Sequence, residues 1–348
     1  MKRPSAEKYI GRDTLSVAEA MQIIDRNVGG IVILVGENGT LTGTLTDGDI
    51  RRFLLAGGKL DERSKLAANP HPRYAFTTED AEKLYHKKNF TAIPIIDEEN
   101  VVVDVYIGEQ KTQEYPALNI PVVINAGGKG TRLDPFTRVL PKPLIPVGDL
   151  PIIEHIMNLF SKYGCTEFHV IVNYKKELMK AYFADNDNDY NITWYDEETP
   201  LGTGGGLSLL RGKLNRTFFF TNCDTLIQTN YESLLDFHVD SENVITMVCA
   251  HKNLTIPYGV IEMGENGVID GFREKPMLSF LTNTGMYLVE PEVLDQVEDN
   301  VPVGFPDVVE RVRQLGKNVA VYPISESEWM DMGQLSELEK MRKRLYGE

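Results

Sequence analysis

Cysteine is scarce, with three residues (Cys165, Cys223, Cys249) in 348. That is too few for a disulfide framework, and their spacing fits no zinc motif. No apolar run approaches the ~18–20 residues that a membrane span needs. The start, Met1-Lys2-Arg3-Pro4-Ser5-Ala6-Glu7, lacks the apolar stretch of a signal peptide. A cytoplasmic protein with no membrane partner is therefore expected. Basic charge is also in deficit. Lys and Arg number 36 against 51 Asp and Glu, for a net charge of −15. Nucleic acid is excluded as a partner, because a polyanion surface needs clustered basic charge. The six histidines are scattered, and no Ser/His/Asp arrangement stands out.

What is present is an ordinary globular composition, 42% hydrophobic and 25% charged, long enough for two domains. The acidity is uneven. Residues 1–115 carry 15 basic and 18 acidic side chains, and residues 116–348 carry 21 and 33.

The first third holds a degenerate repeat with a shift of 61 residues, Ile31–Asp49 against Ala92–Gln110. Each copy reads as apolar strand, polar turn and second strand. Asn38-Gly39 supplies a hairpin signal in the first copy. Ser16-Val17-Ala18-Glu19 reads as a capping box opening a helix. Asp49–Leu55 reads as a second helix that stops at Gly57-Gly58. Lys111–Asn119, with Pro116, reads as a linker. Beyond it short apolar strands alternate with helical stretches such as Glu154–Tyr163. Strands are expected at Ile120–Ile124, Phe168–Val172, Phe218–Phe220 and Val244–Ala250. This alternation predicts an α/β fold with a mainly parallel sheet, whose functional residues gather at the strands' carboxyl ends. The domain boundary is placed at 115/116.

The strongest chemical signal follows the first of those strands. Asn125-Ala126-Gly127-Gly128-Lys129-Gly130-Thr131-Arg132-Leu133 combines small residues, which let backbone N–H groups approach an anion, with a guanidinium. It is neither a Walker A loop nor Gly-x-Gly-x-x-Gly. Ten residues after Arg132, Lys142 sits between two prolines. Asp224, after the strand Phe218–Thr221, and Asp331, in Trp329–Gly333, are carboxylates of the kind Mg²⁺ uses beside substrate phosphates. Taken singly, either could be a turn or cap residue. Pro200–Gly206 is a second small-residue loop. Glu274-Lys275-Pro276 and Asn283-Thr284-Gly285 offer polar groups at turns, and each alone reads equally as a turn.

In order, these motifs resemble the sugar-1-phosphate nucleotidylyltransferases over about 230 residues from Ile120 onward. The resemblance implies a Rossmann-like sheet with helices on both faces, a requirement for Mg²⁺, and NTP and sugar-1-phosphate as substrates. It implies that Ala126, Gly127, Gly128, Lys129, Gly130 and Thr131 surround the nucleotide, with Gly202 and Thr203 by the base. Arg132, Lys142 and Asp224 would carry catalysis, and Asp224 and Asp331 would hold the metal. Glu274, Lys275, Asn283 and Thr284 would bind the sugar phosphate. Two positions depart from the family pattern: Asp134 follows the glycine loop, and Gly204-Gly205 stands where Ala-Gly is commoner.

The first 115 residues resemble a tandem CBS pair, a smaller α+β module that regulates or dimerises. Thr46 and Asp49 match the ribose-holding positions of an adenine-nucleotide site, whereas Ile107 and Gln110 in the second copy do not. The implied partners are an adenine nucleotide and a second copy of the chain. The whole layout resembles bacterial enzymes that join GTP to glucosamine-1-phosphate in legionaminic acid biosynthesis. Mannose-1-phosphate with GTP, and glucose-1-phosphate with dTTP or UTP, remain open. So does a nucleotide sensor carrying an inactive transferase-like domain.

Overall fold

The structure is a computed structural model, described for residues 6–27, 30–87, 92–108, 115–185 and 190–347. The chain divides into two compact units. The first contains Met1–Gln113, His251–Thr282 and Pro323–Ser327, and the second contains the rest. A single cut at 115/116 therefore leaves out two later segments of the first unit. Contacts distant in sequence draw them in, which no local pattern announces.

In the first unit, the capping box at Ser16 opens the helix Val17–Arg26, with Glu19 as its reciprocal partner. The strand Ile31–Val35 pairs in parallel with Ile10–Arg12 and antiparallel with Leu41–Thr46. All five of its residues are buried, which explains its unbroken apolar sequence. Val32 and Leu34 pack with Val17, Met21 and Ile50 of their own repeat. Ile31, Ile33 and Val35 face the other way, onto Ala92 and Val105 of the second copy. The two repeats thus share a core that neither could close alone.

The second copy has the helix Thr78–Lys87 and the antiparallel strands Ala92–Ile96 and Val102–Ile107. Gln110, and the linker residues Lys111 to Glu114, lie outside the described residues.

The helix Asp47–Leu55 is opened by a second capping box. Thr46 Oγ1 accepts from the Asp49 N–H, and Asp49 accepts from the Thr46 N–H at 2.9 Å. Gly57, at φ +93°, follows its end. Three side chains, on this helix and on Val17–Arg26, reach the later segments. Arg51 Nε donates to the Pro323 carbonyl (2.9 Å), and Asp25 accepts from the Ser325 hydroxyl. Gln22 donates to the Met277 sulfur. The later segments also contain the antiparallel ribbon Val260–Met263 and Ile269–Arg273.

The second unit is organised on a seven-stranded sheet. Its order is Asn191–Asp196, Glu167–Val172, Val122–Asn125, Phe218–Asn222, Met277–Val289, Ile245–Thr255, Val319–Ile324. The first four strands are mutually parallel, and Met277–Val289 runs antiparallel to Phe218–Asn222. The sheet is mainly parallel, within a mixed α/β architecture, as expected. Phe218, Phe220, Tyr287 and Phe305 anchor a core built with Val308, Val312 and Leu294. The helix Ile152–Lys162 ends before Gly164, which takes φ +69°. The carboxyl ends of the parallel strands, Asn125, Val172, Asp196 and Asn222, therefore lie along one edge.

Candidate active site

The strand Val122–Asn125 runs into the glycine loop at that edge. Asn125 is in register with Asn222, and the Cys223 N–H donates to the Asn125 carbonyl (3.3 Å). This pairing carries Asp224 to the start of the loop. Next, Thr225–Ile227 pairs antiparallel with Trp329–Asp331, Thr225 opposite Asp331. The Met332 N–H donates to the Asp224 carbonyl at 2.9 Å. Two aspartates 107 positions apart in the chain are thereby brought side by side.

Lys142 completes the cluster. It sits in a buried turn between Pro141 and Pro143, and its ammonium forms an ion pair with Asp224. Gly130 makes room for it: at φ +65°, a Cβ there would stand 3.0 Å from Lys142 Cβ. Burial holds the Asp331 carboxyl above its ordinary pKa, and the Asp224 charge adds to this. Lys142 and Arg132 act in the opposite sense, so the Arg132 charge is felt at the same place. The structure thus brings together Arg132, Lys142, Asp224, Asp331 and the glycine loop. Asp134 is neutralised locally. It accepts from Thr137 Oγ1 (2.9 Å) and pairs with Arg138 (3.2 Å), and hydrogen bonds from both hold its pKa low. Arg138 therefore adds less to the loop's positive charge than its sequence position suggests.

The second loop has a different logic. A Cβ on Gly202 would stand 2.6 Å from the Val303 carbonyl oxygen, and one on Gly205 2.6 Å from that of Val301. One on Gly204 would meet the Phe305 nitrogen at 2.9 Å. Tight packing on Val301–Phe305 excludes side chains here, which accounts for glycine in place of the family's alanine at 204. Thr203 ties the loop down: its hydroxyl accepts from the Phe305 N–H (3.0 Å) and its carbonyl from Asn125 Nδ2 (3.4 Å). Gly202 and Thr203 form the exposed tip.

One residue went unnoticed in the sequence. Glu197 is 4% exposed. A Cβ on Gly127 would be 2.6 Å from its Oε2, and one on Gly206 2.6 Å from its Oε1. Its carboxylate is wedged between the two glycine loops. The Leu201 N–H bonds to it, yet Oε1 has no hydrogen-bond partner. Burial outweighs that one donor and pushes its pKa up to about 7. The available signal was its position, immediately after the parallel strand Asn191–Asp196.

Thr284 is 3% exposed and donates to the Val248 carbonyl (2.7 Å), so its hydroxyl serves the sheet. Asn283 bonds the Tyr287 hydroxyl (2.7 Å) and the Gly285 N–H (3.1 Å). Glu274 and Lys275 are exposed in the first unit, at the turn after Ile269–Arg273, with Lys275 at φ +44°. Thr46 and Asp49 form the capping box described above.

Among the described residues, no three His, Cys, Asp or Glu side chains cluster to hold a metal. The Asp224–Asp331 pair fits an ion that takes one or two carboxylates and fills its shell with phosphate oxygens and water.

Residues 121–346 match the nucleotidyl transferase family, and residues 8–56 match the CBS domain. The chain belongs to the nucleotidyl transferase family. Mannose-1-phosphate guanyltransferase of Debaryomyces hansenii is 35% identical over 227 residues, 61% of this chain and 60% of that protein. The Saccharomyces cerevisiae mannose-1-phosphate guanyltransferase is 34% identical over 226 residues. The chain's match spans about 60% of the length of these relatives. Among solved structures, HddC from Yersinia pseudotuberculosis aligns with a TM-score of 0.52 at 20% identity, covering 65% of this chain and 99% of that one. A putative glucose-1-phosphate thymidylyltransferase from Bacillus anthracis aligns at 0.51 and 20%, covering 65% and 94%. The transferase fold is thus shared, and the second repeat lies beyond the stretch matched to the CBS domain.

Proposed function

We propose that this nucleotidyl transferase moves a guanylyl group from GTP to a sugar-1-phosphate, releasing pyrophosphate. The observation that carries the reading is the convergence of Arg132, Lys142, Asp224 and Asp331 beside the glycine loop. A phosphate oxygen of the sugar phosphate bonds to the α-phosphorus while the α–β bridging oxygen leaves with pyrophosphate. The attacking group is already anionic at pH 7, so no general base is needed. The obstacle is repulsion between two polyanions and charge build-up on the leaving group. The loop N–H groups and Arg132 hold the triphosphate, and Lys142 meets oxygens near the α-phosphorus. Asp224 and Asp331 would hold Mg²⁺, which supplies charge neutralisation at the phosphates. Asn283 is assigned to the sugar side.

Glu197 supports guanine. A carboxylate offers only acceptors when ionised, and guanine presents two adjacent donors, N1–H and the 2-amino group. Uracil and thymine present one. Glucosamine-1-phosphate is the proposed sugar, supported by the joining of a CBS module to this transferase. Mannose-1-phosphate is the second reading, supported by the names of the relatives. An adenine nucleotide at Thr46 and Asp49, self-association as a dimer and a cytoplasmic setting complete the proposal; no helix among the described residues is long and apolar enough to cross a membrane.

A grid of four NTPs against glucosamine-, mannose- and glucose-1-phosphates, read by pyrophosphate release with Mg²⁺, tests it. Release with GTP and one hexose phosphate is expected. Release with no pair would favour a nucleotide sensor, and free phosphate or free sugar would indicate a hydrolase.

A further inference from the structure

We infer that the Lys142 ammonium is a built-in substitute for the divalent cation, occupying the Asp224 carboxylate until metal and nucleotide arrive together. The inference rests on the proposed metal role of Asp224 and Asp331.

Three observations support it. Lys142 is 9% exposed and its ammonium is paired with Asp224, one of the two carboxylates that would take the ion. The backbone cannot withdraw it, because the turn is buried and closed by Pro141 and Pro143. The side-chain stem lies against Gly130, where an added Cβ would stand 3.3 Å from Lys142 Cδ. On the proposed reading, the ammonium moves from Asp224 to a nucleotide phosphate at the loop while the stem stays against Gly130.

A divalent ion on Asp224 repels an ammonium in contact with the same carboxylate. The metal must displace the lysine, and a displaced lysine without a partner is a poorly solvated buried charge. A nucleotide phosphate supplies that partner. Metal and nucleotide therefore assist each other's binding, and the coupling is reciprocal. Without nucleotide the site is filled by its own lysine and holds metal weakly.

The test is Mn²⁺ binding to the full chain at pH 8 without nucleotide, read by the electron paramagnetic resonance signal of free Mn²⁺. Lys142→Met should bind Mn²⁺ at least about 10-fold more tightly than wild type. Lys142→Arg, which keeps a cation, should stay near wild type, and Asp224→Asn should lose binding in either background. Circular dichroism confirms that each variant is folded. A second reading uses the wild type alone, labelled with ¹³Cε-lysine. Adding Mg²⁺ with a non-hydrolysable GTP analogue should move one lysine resonance, assigned by its loss in Lys142→Arg. Mn²⁺ affinity in Lys142→Met equal to or below wild type overturns the inference while leaving the metal role intact. No saturable Mn²⁺ site in any variant, with or without the analogue, overturns the metal role itself.

Discussion

The Met332 N–H donates to the Asp224 carbonyl oxygen at 2.9 Å, and this one backbone bond sets Asp331 beside Asp224. It lies next to the Thr225–Asp331 pairing, so Asp331 sits on the strand ladder and Asp224 in the short turn that leads into it.

Removing the Asp331 charge should therefore act on chemistry more than on folding, whereas removing the Asp224 charge should act on both. Asp224→Asn and Asp331→Asn are each expected to lower kcat by about 10²–10³-fold, the usual scale for a lost electrostatic group. The melting temperature should change little in Asp331→Asn and fall in Asp224→Asn, where the buried Lys142 ammonium loses its partner. Steady-state pyrophosphate release at saturating Mg²⁺ checks this; near-normal turnover in Asp224→Asn would remove it from the metal's coordination.

The two glycines at the head of the loop should respond differently to alanine. Gly127→Ala drives a methyl to 2.6 Å from Glu197 Oε2, and the displaced carboxylate has Gly206 behind it. A drop of several degrees in melting temperature is expected, partly restored in Gly127→Ala/Glu197→Ala, because contacting sites are not additive. Nothing lies within 4 Å of a Cβ on Gly128. Gly128→Ala should keep the wild-type melting temperature and raise the KM for nucleotide. Equal loss of stability at both positions would contradict the packing described.

Glu197 makes stability depend on pH. Its folded pKa of about 7 exceeds the ordinary 4.5, so the folded state holds the proton more tightly. The stabilisation is fully present below pH 4.5 and is lost as pH rises through 7. At ~1.4 kcal/mol per unit, the swing is at most about 3.5 kcal/mol. Denaturant titrations of wild type and Glu197→Gln from pH 5 to 8 should diverge by that sense and order. Parallel pH profiles would mean that the carboxyl is ionised throughout.

Thr284 should behave as a structural residue. Thr284→Val leaves the Val248 carbonyl without its side-chain donor, a loss of about 1–3 kcal/mol. KM for the sugar phosphate should stay within about twofold in the folded variant. A large rise in KM with unchanged stability would return the hydroxyl to the substrate.

How much of this could be read from the sequence depends on distance along the chain. The glycine loop, Arg132 and the Ser16 capping box are local patterns in the sequence; the capping box at Thr46, which starts the second helix at Asp47, was not read from it. The repeat in the first unit was visible because both copies keep the strand–turn–strand pattern. The departure at Gly204 was visible too, but its cause, the Phe305 backbone, lies a hundred residues away. Glu197 was overlooked because a lone acidic residue at a strand end carries no pattern; only its enclosure by Gly127 and Gly206 distinguishes it. The Lys142–Asp224 pair joins positions 82 apart. The recruitment of His251–Thr282 and Pro323–Ser327 into the first unit was likewise not legible, since such segments are defined by what they touch.

That recruitment bears on how the protein can be dissected. Gln22, Asp25 and Arg51 hold Met277, Ser325 and the Pro323 carbonyl. A chain trimmed to residues 116–348 would keep the later segments and lose the helices bonded to them. It would leave the Met277 sulfur, the Ser325 hydroxyl and the Pro323 carbonyl without these partners. The amino-terminal module is thus a scaffold for pieces of the transferase sequence, and a cut between them removes partners that those pieces use.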